Sequence, residues 1–162
     1  IKKGVQKYVN CDKILFVFAK SNNDNCIVFL YDEDEDDPLV PMWLHLEPKD
    51  TEKHLREGNV SLMTPLNDIE NELVGCELVV DEENNKFFVK LKQTGMQNRV
   101  FELVTDADGK PAVLSTISGV LCRLDYGYCE LKSGVMMPDY FVLNGMDVKS
   151  GKRQSERIEY MM

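Results

Sequence analysis

The sequence predicts an all-β domain, an antiparallel β-barrel or β-sandwich of about 8–10 strands with a short helical insertion. Most of its 162 residues alternate between apolar and polar types with period two, and β-branched and aromatic residues are frequent. Short clusters of Asn, Asp, Gly and Pro separate these segments, as expected of hairpins. No repeat, low-complexity linker or second core is visible. We therefore expect a single β-rich domain over residues 13–162, preceded by an N-terminal extension at 1–12.

The first predicted hairpin begins after this extension. Residues 13–19, KILFVFA, form a nearly continuous apolar run, which is typical of a strand covered on both faces. SNNDN at 21–25 supplies turn residues, and CIVFLY at 26–31 forms the returning strand. The next strand is predicted at 42–47. Two prolines, Pro38 and Pro41, precede it, so the chain cannot simply continue the hairpin ladder.

The helical insertion is predicted at about 50–75. Asp50 is suited to cap a first helix that ends at Gly58. The hydroxyl of Thr64, followed by a proline, is suited to begin a second helix. Three apolar residues then recur at helical spacing: Leu66, Ile69 and Leu73. We expect this apolar face to pack on a sheet.

The period-two pattern returns at residue 76 and continues to the end of the chain. Its predicted strands lie at 76–80, 86–92, 99–105, 111–117, 119–132, 139–148 and 156–160. Consecutive strands joined by tight turns are normally antiparallel neighbours. A sheet of this many strands curls into a barrel or splits into a sandwich.

Three stretches of the chain resemble a known family. KSNNDNCIVF at 20–29, PLVPMWLHLE at 38–47 and FVLNGMDVKSGKRQSERI at 141–158 are similar to the family catalogued as domain of unknown function 4833. The matching residues follow the family's order: Ser21, Asn23, Trp43, Gly145, Asp147, Gly151, Lys152, Glu156, Arg157 and Ile158. The family tends to end its helix with Tyr-Gly, whereas this chain has Val74 and Gly75. The resemblance implies one β-rich domain and assigns no activity or catalytic residue.

The charge of the chain is locally concentrated. It has 28 acidic and 19 basic residues, a net charge of −9, and six consecutive carboxylates lie at 32–37. This balance argues against binding of nucleic acid, which requires a positive field against the phosphates. It also argues against direct binding to an anionic membrane surface.

The cysteines and the absence of a long apolar run favour a cytoplasmic protein. No apolar run approaches the roughly 20 residues that span a bilayer, and no secretory signal is visible. The chain begins with Ile1 rather than Met, which leaves a truncated N-terminus open. Five cysteines are present, none in a C-x-x-C pair: Cys11, Cys26, Cys76, Cys122 and Cys129. We expect them to be reduced and buried, although a bridge between the last two remains an alternative.

The acidic run raises the question of a calcium site. Asp32, Asp34 and Asp36 stand at positions 1, 3 and 5 of an EF-hand loop, but Gly is missing at position 6 and Glu at position 12. A looser calcium site remains if the turn at Asp106 and Asp108 lies at the same end of the domain. The alternatives are a solvated loop that opposes edge-to-edge association and an acidic docking surface for a basic partner.

The sequence contains no recognisable catalytic motif. Its two histidines, His45 and His54, lie in different predicted elements, and neither G-x-S-x-G nor a phosphate-binding glycine loop is present. Aromatic residues are numerous enough to line a cavity, and we single out Trp43, Tyr126 and Tyr128 as candidate ligand contacts.

These observations favour a non-enzymatic binding or interaction module with no cofactor except, in one alternative, Ca²⁺. Its expected partner is a protein or a small apolar ligand. Two alternatives remain: a small-ligand carrier of calycin type with an interior pocket, and a calcium-responsive module with acidic loops.

Overall fold

The period-two segments of the sequence form strands of one curled sheet. The computed structural model describes residues 13–44, 63–133 and 137–160. Their strands join in a mixed, 11-stranded sheet shaped as a half-barrel. With 60% strand and 6% helix, the all-β class is confirmed. Eleven strands exceed the 8–10 expected, in part because one of them has only three residues and is too short to show a pattern.

The elements follow the chain in this order: β1 Ile14–Lys20, β2 Asn23–Tyr31, β3 Leu39–Leu44, β4 Met63–Pro65, α1 Asp68–Val74, β5 Cys76–Asp81, β6 Lys86–Leu91, β7 Glu102–Thr105, β8 Pro111–Ile117, β9 Val120–Leu131, β10 Pro138–Asp147 and β11 Arg153–Glu159. The predicted extension at 1–12 and the predicted first helix after Asp50 lie outside the described residues, as do both histidines.

Strand β9 organises the sheet. One of its edges pairs with β10, which in turn pairs with β11. Its other edge pairs first with β8 and then with β1, so two arms diverge from it: β1 to β4, and β8 back to β5. The pairing of β1 with β9 is parallel, which differs from the antiparallel sheet expected. No tight turn joins these two strands, so the rule for consecutive strands does not apply to them.

The main core fills the concave side between the two arms. Phe16 of β1 stacks on Phe29 of β2 at 4.7 Å between ring centroids, and on Phe101, just before β7, at 6.4 Å. The opposite face of the β1–β4 arm carries a second, smaller buried cluster: Val28, Leu30, Met42 and Met63. The apolar run at 13–19 is thus covered on both faces, as predicted.

Gly127 allows β1 and β9 to approach closely. A Cβ atom at this position would lie 2.6 Å from the ring of Phe18, which is closer than two carbon atoms can pack. Overpacking of this kind displaces side chains from their preferred rotamers. The glycine between Tyr126 and Tyr128 is therefore required by the contact on the concave face.

The second predicted helix is present, but its start and its buried face were predicted wrongly. Thr64 and Pro65 belong to β4, and Asn67 is the N-cap: its side chain accepts from the N–H of Glu70 at 2.8 Å, while Glu70 accepts from the N–H of Asn67 at 2.9 Å. Ile69 and Leu73 are 73% and 64% exposed. The seven-residue helix meets the core through Leu66, which precedes it, and Val74, its last residue. Among the described residues no helix is long and apolar enough to cross a membrane.

Candidate functional site

A groove of about 400 Å³ lies at the end of the half-barrel where β2, β5 and β7 finish, which we call the mouth. Tyr31, the last residue of β2, forms one wall. Apolar side chains of the other arm form the opposite wall: Leu78, Phe87 and Leu103. Phe87 is 40% exposed, and its cross-strand neighbour Val80 is 48% exposed. Polar side chains complete the lining: Asn85, Lys86, Glu102 and Thr105. A cleft of this size at a barrel mouth, with apolar walls and a few polar groups, is typical of a ligand site.

Three acidic turns surround the groove. They lie at 32–37, 81–86 and 106–110, and each begins or ends at a residue that lines the groove or adjoins one that does. Together they hold eleven carboxylates and two lysines. The rest of the chain has 17 acidic and 17 basic residues, so these turns account for the whole net charge of −9.

The first turn folds around Asp32. This residue is buried, and its carboxylate accepts from Lys13 Nζ at 3.2 Å and from the N–H of Asp34 at 3.1 Å. Its own N–H donates to the carbonyl of Pro38 at 2.7 Å. Asp32 thus bonds within the turn, whereas the side chains of Asp34 and Asp36 are exposed to solvent.

The other two turns use one aspartate each as an internal acceptor. The side-chain amide of Asn84 donates to Asp81 at 2.9 Å and lowers the pKa of that carboxyl. The N–H of Lys110 donates to Asp106 at 2.9 Å and lowers its pKa, with Arg123 adding a further contact at 3.2 Å. Both carboxylates therefore stay ionised at neutral pH.

The predicted calcium ligands border one groove without forming a ligand cluster. Residues 32–37 and 106–110 adjoin the same cleft, because Tyr31, Thr105 and Pro111 all line it. Asp32 and Asp106 are engaged by Lys13 and Arg123. Over the described ranges, no three His, Cys, Asp or Glu side chains are grouped so as to hold a metal ion. A calcium site at Asp32, Asp34, Asp36, Asp106 and Asp108 stays a prediction.

The predicted aromatic contacts do not form one patch. Strand register places Trp43 beside Ile27, then Phe18, then Gly127, so Trp43 lies on the concave face against the main core. Tyr126 and Tyr128 flank Gly127, and their side chains point to the outer face. There Tyr128 contacts Tyr140 at 6.5 Å, and the Arg157 guanidinium lies 3.7 Å above the Tyr140 ring.

The concave interior is closely packed at the position where a carrier would need a pocket. The cavity there has a volume of about 10 Å³, room for at most one water molecule. It is lined by Phe18, Lys20, Ile27, Phe29, Val74, Leu91 and Gln93. A small-ligand site occupies about 300–1,000 Å³, so this cavity does not support the carrier hypothesis.

Cysteines of the described strands are free and buried: Cys26, Cys76, Cys122 and Cys129. Burial raises the pKa of the Cys76 thiol to about 12, so this group is an unreactive thiol at neutral pH. The alternative of a bridge between Cys122 and Cys129 is wrong. Both residues fill the concave core instead.

Residues that carry the family resemblance have structural roles. Ser21 ties the end of β1 to β9: its N–H donates to the carbonyl of Cys129 at 3.0 Å, and its hydroxyl accepts from the N–H of Leu131 at 2.9 Å. Asp147 caps the turn between β10 and β11 by accepting from the N–H of Lys149 at 2.8 Å. Gly151 of that turn has φ of 73°, a conformation that favours glycine.

Comparison with protein-family models, with curated proteins and with solved structures finds no match to this chain. The resemblance to domain of unknown function 4833 therefore stays a prediction.

Proposed function

We propose that this domain is a non-enzymatic binding module whose mouth groove takes a cationic, partly apolar segment of a protein partner. One observation carries the proposal: a groove with exposed apolar side chains lies among the three turns that hold the entire net charge of the chain. The apolar walls favour apolar side chains, and the three acidic turns, which form the rim of the groove, favour cationic ones. A segment with both kinds of side chain satisfies the two features.

The two features act at different ranges. Burial of apolar surface at Phe87 and Val80 contributes about 25 cal/mol per Å² removed from water. The carboxylates of the rim act over about 10 Å at 0.1 M salt and steer a cationic partner toward the groove. Affinity is thus expected to depend on apolar contact, and the association rate on salt.

The alternatives have less support. A carrier needs a larger interior cavity than the 10 Å³ beside Phe18. A calcium module needs converging carboxylates, which the described residues do not provide. The rim repels phosphates, so the expectation that nucleic acid and anionic membranes are not partners is kept. The free, buried cysteines support our proposal of a reducing compartment, as in the cytoplasm.

A short synthetic peptide tests this proposal. The probe is a fluorescent peptide of about eight residues that alternates lysine with leucine, and its control replaces every lysine by glutamate. We expect saturable binding of the lysine peptide alone, measured by fluorescence anisotropy. Its affinity should fall at least about fivefold between about 50 and 500 mM salt, because the rim charges become screened.

Matched variants assign the binding to the groove. Phe87→Ala is expected to weaken binding by about tenfold, whereas Leu121→Ala, which removes a 46% exposed side chain from the outer face, should change it less than about twofold. The pair Asp34→Asn and Asp36→Asn should weaken binding by about threefold at low salt. The control pair Asp139→Asn and Glu159→Gln, at the opposite end of the sheet, should not. Failure of the lysine peptide to bind, or equal losses in groove and control variants, would contradict the proposal.

A further inference from the structure

Strand β5 ends one arm of the sheet, and among the described strands it pairs only with β6. The N–H of Lys92 donates to the carbonyl of Gly75 at 3.0 Å, which fixes the alternation of the ladder. In an antiparallel pair every second residue directs both backbone groups to its partner. Glu77, Val79 and Asp81 therefore face β6, while Leu78 and Val80 direct N–H and C=O away from it.

This outward edge is unpaired beside the groove: β3 comes within 8 Å of β5 between Cα atoms, but the two strands form no ladder. Over the described ranges, the outward backbone groups of Leu78 and Val80 have no hydrogen-bond partner. Val80 is 48% exposed and Val79 40% exposed, so the end of the strand is in contact with solvent. The side chain of Leu78 lines the groove that Tyr31 closes on the other side. An unpaired edge of this kind is a template for another strand.

Charge selects which strand can pair here. The turn that follows β5 carries Asp81, Glu82 and Glu83, and its one basic residue, Lys86, lies directly across the ladder from Asp81. In an antiparallel pairing of two copies centred on Val79, Glu77 of each copy would lie opposite Asp81 of the other, and these like charges would oppose pairing. A segment with lysine or arginine side chains would instead be attracted by these carboxylates. The charges therefore disfavour pairing of β5 with β5 of a second copy and favour pairing with a cationic strand.

We infer that the partner segment binds as an added β-strand along the free edge of β5. The inference rests on the proposed function and specifies its mode. The added backbone lies about 4.8 Å from β5 and bonds to the outward groups of Leu78 and Val80. Alternate side chains then enter the groove between Leu78 and Tyr31, and the cationic side chains reach the acidic turns.

Backbone methylation of the probe tests this mode. Two versions of the lysine–leucine peptide carry the same number of backbone N-methyl groups. In the first version the methyl groups are on the leucine nitrogens, and in the second they are on the lysine nitrogens. Only one of these sets can face β5 in an added strand, because successive N–H groups point to opposite edges. We expect one version to lose binding by about tenfold or more and the other to stay within about threefold of the parent peptide.

A protein variant provides the complementary test. Val80→Pro removes an outward N–H without removing a bond to β6, and is expected to weaken binding about tenfold with the circular dichroism of the sheet retained. Val80→Ala keeps the N–H and should weaken binding less. If the parent peptide binds and both methylated versions bind equally well, the added-strand mode is contradicted, whereas the proposal of binding in the groove is not. Absence of binding by the parent peptide would overturn both proposals.

Discussion

Glu156 of β11 joins parts of the chain that are distant in sequence. Its Oε1 atom accepts from Arg99 Nη2 at 2.8 Å and from the N–H of Ser118 at 2.8 Å. Ser118 belongs to the turn between β8 and β9 and has φ of 53°. Burial alone would raise the pKa of this carboxyl, but the bonds from Arg99 and Ser118 outweigh it and hold the pKa below its ordinary value.

The pH dependence of stability tests this role of Glu156. Its pKa is lowered in the folded state, so its stabilisation is complete above the ordinary pKa of 4.5 and is lost as the pH falls through the folded value. Glu156→Gln should lower the free energy of unfolding by about 1 kcal/mol at neutral pH. In urea unfolding, the difference from the parent should shrink as the solution is acidified.

The matched control is Glu159→Gln. Glu159 pairs with Arg157 at 2.6 Å, but both side chains are more than half exposed. Exposed pairs contribute little to stability, so this variant should resemble the parent at every pH. Equal effects of the two substitutions would contradict the role assigned to Glu156. The sequence identified Glu156 only as part of a resemblance, because its partners lie 57 and 38 residues away.

Helix α1 shows what local pattern predicts about an element and what it does not. Local pattern predicted the helix, and the spacing of Ile69 and Leu73 predicted an apolar face. The pattern cannot indicate whether a sheet lies opposite that face, and none of the described strands covers it. The parallel pairing of β1 with β9 was missed for a related reason, since it joins segments about a hundred residues apart.

Two substitutions in α1 separate capping from packing. Asn67→Ala removes the acceptor of the capping box and should lower the free energy of unfolding by about 1 kcal/mol. Ile69→Gln replaces a 73% exposed side chain and should change it by less than about 0.5 kcal/mol. Urea titrations of both variants measure this. A larger loss for Ile69→Gln than for Asn67→Ala would show that the apolar face is covered in solution.

At the scale of the whole molecule, the distribution of charge was only partly predictable. The acidic run at 32–37 is plain in the sequence, and a docking surface for a basic partner was one of its expected uses. That the turn at 106–110 lies at the same end as 32–37 was raised as one possibility, and both turns adjoin one groove. The contribution of 81–86 was not foreseen, because it depends on the strand order of the whole sheet. The sequence did contain one indication that Phe87 lies at the mouth. The apolar residues of the β5–β6 hairpin continue up to its acidic turn, so Phe87 is placed beside that turn.

The most direct test of the account is a map of backbone amide shifts during titration of the labelled domain with the lysine–leucine peptide. We predict saturable changes concentrated at the mouth, at Tyr31, Leu78, Val80 and Phe87 and in the acidic turns. The outer face around Leu121 and Tyr126 should remain unchanged. Saturable changes centred on that outer face, or no changes beyond those that the glutamate peptide produces, would contradict it.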